Sequence, residues 1–135
     1  MQSLQPRSCQ ETQNIKIKIK GLGVLKGNPK SIRVLYGKVD TLDDDRIWDI
    51  IQQTQKMFYD AGLLKIIQEP QLHATLINTK YLGKQGRQGF DGQVVLDRML
   101  NHDFGTLCVE CLQLCRMSGS NRTSGYESEF DLSLL

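Results

Sequence analysis

Six consecutive residues, Ile15-Lys16-Ile17-Lys18-Ile19-Lys20, alternate apolar and cationic side chains without a break. A period of two fits an extended strand with one apolar face, because successive side chains of a strand leave opposite faces. Gly21 and Gly23 interrupt the pattern and read as a bulge. After the turn Gly27-Asn28-Pro29 comes a second run, Ser31 to Val39, whose β-branched and aromatic content again favours a strand. The two runs predict an antiparallel hairpin. The lysine stripe reads as the solvent face of a sheet edge, where charge discourages aggregation.

A helical pattern follows. Ile47, Ile50, Ile51, Thr54, Met57, Phe58 and Ala61 recur at three- and four-residue spacing and predict one buried stripe. Asp43 or Asp44 is suited to cap its first turn, and Gly62 to end it in a left-handed conformation. Gln71 to Asn78 reads as a strand, with Leu72, Ala74 and Leu76 on one face and His73, Thr75 and Ile77 on the other. The glycine-rich stretch 83–92 reads as a mobile loop. A second helix over about 92–102, capped by Asp91, would turn Val94, Val95, Met99 and Leu100 inward. Thr106 to Met117 and Tyr126 to Leu134 read as two further strands around the polar turn Ser118-Gly119-Ser120-Asn121. The order β-β-α-β-α-β-β predicts an α+β fold, a mostly antiparallel sheet with two helices packed on one face.

The chain has 135 residues, a formal net charge of +2 and 39% hydrophobic residues, which suits one globular domain rather than disorder. Residues 1–14 read as a flexible leader and 15–135 as the domain. No apolar run approaches the roughly 18 residues of a membrane span, and the polar start has no signal-peptide core. The expected setting is therefore nuclear or cytoplasmic, with no membrane partner. In such a reducing setting the four cysteines are expected as free thiols. Cys108 and Cys111 would face opposite sides of one strand, so Cys108, Cys111 and Cys115 read as structural cysteines rather than metal ligands. No metal and no cofactor is expected. The sequon at Asn121 has meaning only in a secreted chain.

The residues that carry chemistry are His73 and Thr75. Residues i and i+2 of a strand share a face, so an imidazole and a hydroxyl stand side by side. Imidazole exchanges protons near neutrality, and a hydroxyl can donate to a phosphate oxygen as charge grows there. Phosphodiester cleavage needs both a base and an acid, so one His-x-Thr supplies half of such a site. The sequence holds only one other histidine, His102, in His102-Asp103-Phe104 without the hydroxyl. Lys80, Lys84 and Arg87 follow the motif; they could clamp a phosphate or nucleic-acid backbone, or simply be solvated surface charge.

Leu72-His73-Ala74-Thr75-Leu76-Ile77-Asn78-Thr79, set between Ala61-Gly62-Leu63 and Phe90-Asp91-Gly92, resembles the A-kinase anchoring protein 7-like branch of the 2H phosphoesterases. Val34-Leu35-Tyr36-Gly37-Lys38-Val39, Phe104-Gly105-Thr106-Leu107, and the ending through Gly125-Tyr126 to Phe130-Asp131-Leu132-Ser133 fit the same pattern. The resemblance implies a fold with two His-x-Thr/Ser motifs, one per lobe. It assigns His73-Ala74-Thr75 to the second motif, so that the chain corresponds to the C-terminal portion. The first motif is expected upstream of Ile15, where this chain has no histidine. It further implies an RNA or other phosphoester ligand, catalytic roles for His73 and Thr75, and little activity for this portion alone. Subunits of a transcription cointegrator complex are the implied protein partners, with links to transcription regulation and DNA repair. The competing expectations are a non-catalytic protein-interaction scaffold and a truncated fragment with no independent activity.

Overall fold

A computed structural model describes residues 14–116 and 126–134. It contains β1 (Lys16–Asn28), β2 (Ser31–Asp40), α1 (Arg46–Asp60), β3 (His73–Asn78), a 3-10 helix (Thr79–Gln88), α2 (Gln93–Met99), β4 (Asp103–Cys108), β5 (Cys111–Cys115) and β6 (Ser128–Ser133). The fold is α+β with antiparallel strand pairing. The chain forms two compact units, one of Ile17–Leu107 and one of Met1–Lys16 with Cys108–Leu135.

In the larger unit the sheet order is β3-β2-β1-β4. The lysine-bearing β1 is therefore interior to the sheet, not at its edge as its charge suggested. Its lysines remain accommodated because the charged face need only be wet, not terminal; Lys18 reaches across to Asp103 of β4 at 2.9 Å. The expected bulge near Gly21 is present, as a register shift between Ile19 and Leu22.

The core is Leu22, Ile32, Leu35 and Leu96, with Val24, Phe90 and Met99 packed on it. Ile32 is fully buried. The register explains why residues three apart in β2 share this core. Lys26 pairs with Val34 but Gly27 with Ile32, so Arg33 is an extra residue that turns Ile32 to the face of Leu35. Burying such side chains is worth roughly 1.5–3 kcal/mol each, which makes this cluster the anchor of the unit.

α2 begins one residue later than expected, with Gly92 at its N-cap, and Asp91 accepts the Gln93 N–H at 3.0 Å. Packed on the core cluster, the helix buries Leu96 and half-buries Met99, residues three apart on one side, while Val94, Val95 and Leu100 are exposed, contrary to the expectation for those three. In α1 the N-cap is Asp45 rather than Asp43 or Asp44, although Asp44 does accept the Arg46 N–H at 3.1 Å. At the other end Gly62, at φ 74°, donates to the Tyr59 carbonyl and Leu63 donates to that of Phe58, the paired bonds of a left-handed glycine cap. The apolar stripe of α1 is covered mainly toward its N-terminus. Ile47 is buried and Ile50, Ile51 and Phe58 are half-buried, but Thr54, Met57 and Ala61 are exposed.

The single strand expected from Thr106 to Met117 is instead two strands in two sheets. The backbone changes partners at Val109-Glu110, where Val109 donates to the Ile15 carbonyl and Glu110 accepts from Leu134. β5 and β6 then pair antiparallel by themselves. Cys111 and Cys115 are free thiols, but Cys108 is disulfide-bonded, contrary to the expectation of four reduced cysteines. Spacing along a chain does not reveal which sulfurs approach within the few ångströms a disulfide needs. Cys9, the turn Ser118-Gly119-Ser120-Asn121 and the leader up to residue 13 lie outside the described residues.

Candidate functional site

β3 is an edge strand, and its register on β2 builds the site. Tyr36 pairs with Thr75, Gly37 with Ala74 and Lys38 with His73. Paired residues of antiparallel strands share a face, so Tyr36, Lys38, His73 and Thr75 project together. Leu35, Gly37 and Ala74 take the opposite face, where the core cluster and α2 lie. His73 and Thr75 are both exposed. The site is thus set on the sheet face away from α2.

Ile77 does not join it. Between Leu35–Ile77 and Tyr36–Thr75 the register shifts, leaving Leu76 as an extra residue. This bulge places Ile77 opposite Leu35 and breaks the alternation that would have continued His73, Thr75, Ile77. A strand pattern shows period two only while pairing is regular.

Two contacts hold the histidine, and a third braces them. Its Nδ1 lies 2.8 Å from the Gln71 carbonyl oxygen. A carbonyl only accepts, so Nδ1 carries the proton and the neutral ring keeps its lone pair on Nε2. No described residue hydrogen-bonds to Nε2. The Tyr36 ring meets the imidazole edge-on, with centroids 5.7 Å apart and planes at 77°. The Tyr36 hydroxyl in turn accepts from Gln71 Nε2 at 3.4 Å, so the same residue that orients the imidazole touches its aromatic brace.

Tyr36 can lie where it does because Gly23 is beneath it. A Cβ on Gly23 would come within 2.3 Å of the ring. Lys38 stands beside His73 with its aliphatic stem against Gly21. Tyr36, Lys38 and Gln71 were not singled out from the sequence. The available signal was the two-residue spacing of Tyr36 and Lys38 on the neighbouring strand, but it becomes informative only once the register is known.

The other histidine is not part of this arrangement. It directly precedes the far edge strand β4; its backbone carbonyl accepts from Gly21 on β1, and its ring packs edge-on against Phe104 at 4.7 Å. Three strand spacings of about 4.8 Å put roughly 14 Å between the two backbones, and side chains perpendicular to a sheet preserve that separation.

Lys80, Lys84 and Arg87 are brought together, away from His73 along the chain direction of β3. The stretch expected as a mobile loop begins as the 3-10 helix, kinked at Gly83 (φ 64°). The three cations and Arg33 line a hollow of about 430 Å³. A second hollow, of about 650 Å³, lies between α1 and residues 67–70. Among the described residues there is no group of three or more His, Cys, Asp or Glu side chains able to hold a metal ion, and no helix long and apolar enough to cross a membrane.

The edge strand β3 thus presents His73 and Thr75 on an exposed sheet face, beside Tyr36 and Lys38 of the neighbouring strand. Residues 2–134 match the family described as AKAP7 2'5' RNA ligase-like domain. The chain belongs to that family, within the 2H phosphoesterases. No curated protein matches the chain.

Proposed function

We propose that this chain is a phosphoester-recognising, RNA-associated domain in which His73 is the proton-transfer residue and Thr75 the phosphate hydrogen-bond donor. The observation that supports this reading is the contact of His73 Nδ1 with the Gln71 carbonyl, on a side chain that shares its sheet face with Thr75 and Lys38 and so leaves Nε2 for proton exchange. Such a ring can take a proton from a nucleophile, or give one to a leaving oxygen, but not both in one step. Lys38 adds a positive charge beside the phosphate such a ligand would carry. A single His-x-Thr therefore binds a phosphoester and turns it over slowly.

The finer reading follows the order of motifs from Val34-Leu35-Tyr36 to Phe130-Asp131-Leu132. That order resembles that of activating signal cointegrator 1 complex subunit 1. On that likeness the setting is nuclear, the partners are cointegrator subunits, and the process is transcription regulation and repair of alkylated DNA. A second reading, a non-catalytic scaffold, is favoured by the exposed apolar side chains Met57, Tyr59, Leu63, Ile66 and Ile67 on and after α1.

The test is to titrate the chain with a 2′,3′-cyclic nucleotide while following the His73 imidazole by NMR, and to assay cleavage of short RNA. The ligand is expected to shift the His73 signals. His73→Ala is expected to lower whatever turnover exists by about 10²–10⁴-fold, the usual weight of a general acid or base. A ligand that leaves His73 unperturbed, together with identical rates for wild type and His73→Ala, would remove the phosphoesterase reading and leave the scaffold.

A further inference from the structure

We propose that Arg33, Lys80, Lys84 and Arg87 form a subsite for the phosphate backbone of single-stranded RNA, separate from His73 and Thr75. The proposal rests on the reading of the chain as RNA-associated and adds the place where the polymer is held.

Four cations line one hollow, and no carboxylate lines it. None of the four takes part in an ion pair among the described residues, whose pairs are Lys18–Asp103, Arg46–Asp44, Lys56–Asp60 and Arg116–Glu129. Like charges gathered without counter-charge repel one another, and a bound polyanion would relieve that repulsion.

The hollow is built rather than incidental. Lys80 lies before the kink at Gly83 and Lys84 and Arg87 after it, and all three line the same hollow. The helix carrying them is fastened at both ends. At its start Thr79 is buried and the Asn78 side chain accepts the Lys80 N–H at 3.1 Å. At its end the Ser31 hydroxyl donates to the Gln88 carbonyl, and Ile32 and Phe90 exchange backbone hydrogen bonds of 2.8 and 3.0 Å. The opposite wall comes from β2, where Arg33 is the bulge residue and so leaves the strand's regular alternation.

Charge selects the ligand. Four cations around one hollow exceed the charge of a single phosphate and suit successive phosphodiesters. The lining offers point charges and a guanidinium pair but no aromatic ring on which a base could stack. It therefore holds backbone without reading sequence.

The experiment measures binding of a fluorescent single-stranded RNA to the full chain across a salt series. The proteins are wild type, Arg33→Gln, Arg87→Gln, Lys84→Gln/Arg87→Gln, His73→Ala, and Lys65→Gln as a control charge outside the hollow, with thermal melts confirming that each folds. Each phosphate contact contributes about 0.7 to the slope of log affinity against log salt for single strands. The double variant is expected to flatten the slope by about 1.4, and Arg33→Gln, on a different element, by about 0.7. Lys65→Gln is expected to bind like wild type. Unchanged slopes in the hollow variants, or an equal loss in Lys65→Gln, would overturn the subsite, the second outcome by showing diffuse attraction. The two readings fail separately. Flattened slopes with a His73 imidazole indifferent to cyclic nucleotide would retire the His73 site and keep the subsite. A responsive His73 with unchanged slopes would retire the subsite alone.

Discussion

The β1–β2 pair and the β5–β6 pair both carry alternating apolar residues, yet they end in different states. On β1 and β2, Ile19, Leu22, Ile32, Val34 and Leu35 are buried. On β5 and β6 no residue is; Leu112 and Cys115 are half-buried, and Leu114, Phe130 and Leu132 are exposed at 50%, 61% and 46%. The apolar pattern in sequence fixes a face to be covered. What covers it is a separate matter of the elements that pack there, here α2 and the Phe90 segment over Ile32. A two-stranded ribbon held by its own hydrogen bonds is marginal.

The largest expected effect breaks this comparison most directly. Ile32→Ala removes a fully buried side chain from the centre of the cluster and should cost about 2–5 kcal/mol. Leu132→Ala removes a half-exposed side chain from β6 and should stay within about 0.5 kcal/mol. Urea denaturation of both variants checks the pair. Similar losses would show that β5–β6 is as firmly packed as β1–β2, and the distinction drawn from burial would fall.

A smaller effect tests whether the packed sheet also positions the site. Gly23→Ala places a Cβ against the outer end of the Tyr36 ring, which can swing aside at modest cost. The stability loss should be about 1 kcal/mol, at the low end for added core volume. The Tyr36–His73 edge contact should be lost, and with it the ring-current shift on the imidazole protons. An unmoved His73 spectrum in Gly23→Ala would mean that the Gln71 carbonyl alone orients the imidazole.

The parts of this structure legible in sequence are those set by local periodicity. The Ile-Lys alternation marked β1, the Gly62 cap fell where the helical stripe ended, and the i, i+2 spacing placed His73 and Thr75 side by side. What stayed hidden depends on pairing and phase. Nothing local reveals that β4 adds beside β1 and makes its lysines interior. The extra residues Arg33 and Leu76 appear only in the register, and they decide that Ile32 joins the core and Ile77 leaves the His73 face. Which side of α2 meets the sheet is set by packing on Ile32 and Leu35, and it buries Leu96 rather than Val94 and Val95. The glycines at 83, 86 and 89 suggested a loop, whereas anchoring by Thr79 and the Ile32–Phe90 bridge allows the preceding turns to stay helical.

The smallest expected effect compares the ion pairs that tie each region together. Asp103 of β4 takes Lys18 of β1 at 2.9 Å, and Arg116 pairs with Glu129 across β5 and β6. All four side chains keep a share of their surface in solvent, so each pair contributes little and is weakened by salt. Asp103 differs in one respect. Its carboxyl is held below the usual carboxylate range first by the Lys18 hydrogen bond and then by the Gly105 N–H, at 2.9 Å. A lowered folded-state pKa gives stability that is present above the unfolded value of about 3.9 and is lost as pH falls through the folded value. The melting temperature of wild type should therefore exceed that of Asp103→Asn by a small, constant margin above about pH 5. That margin should close as the solution is acidified below the ordinary carboxylate range. High salt should remove the Lys18 share and leave that of the Gly105 N–H, which accompanies the positive-φ glycine beside it. A margin independent of pH would show that Asp103 supports β4 through shape alone, and that the packed sheet owes nothing to this pair.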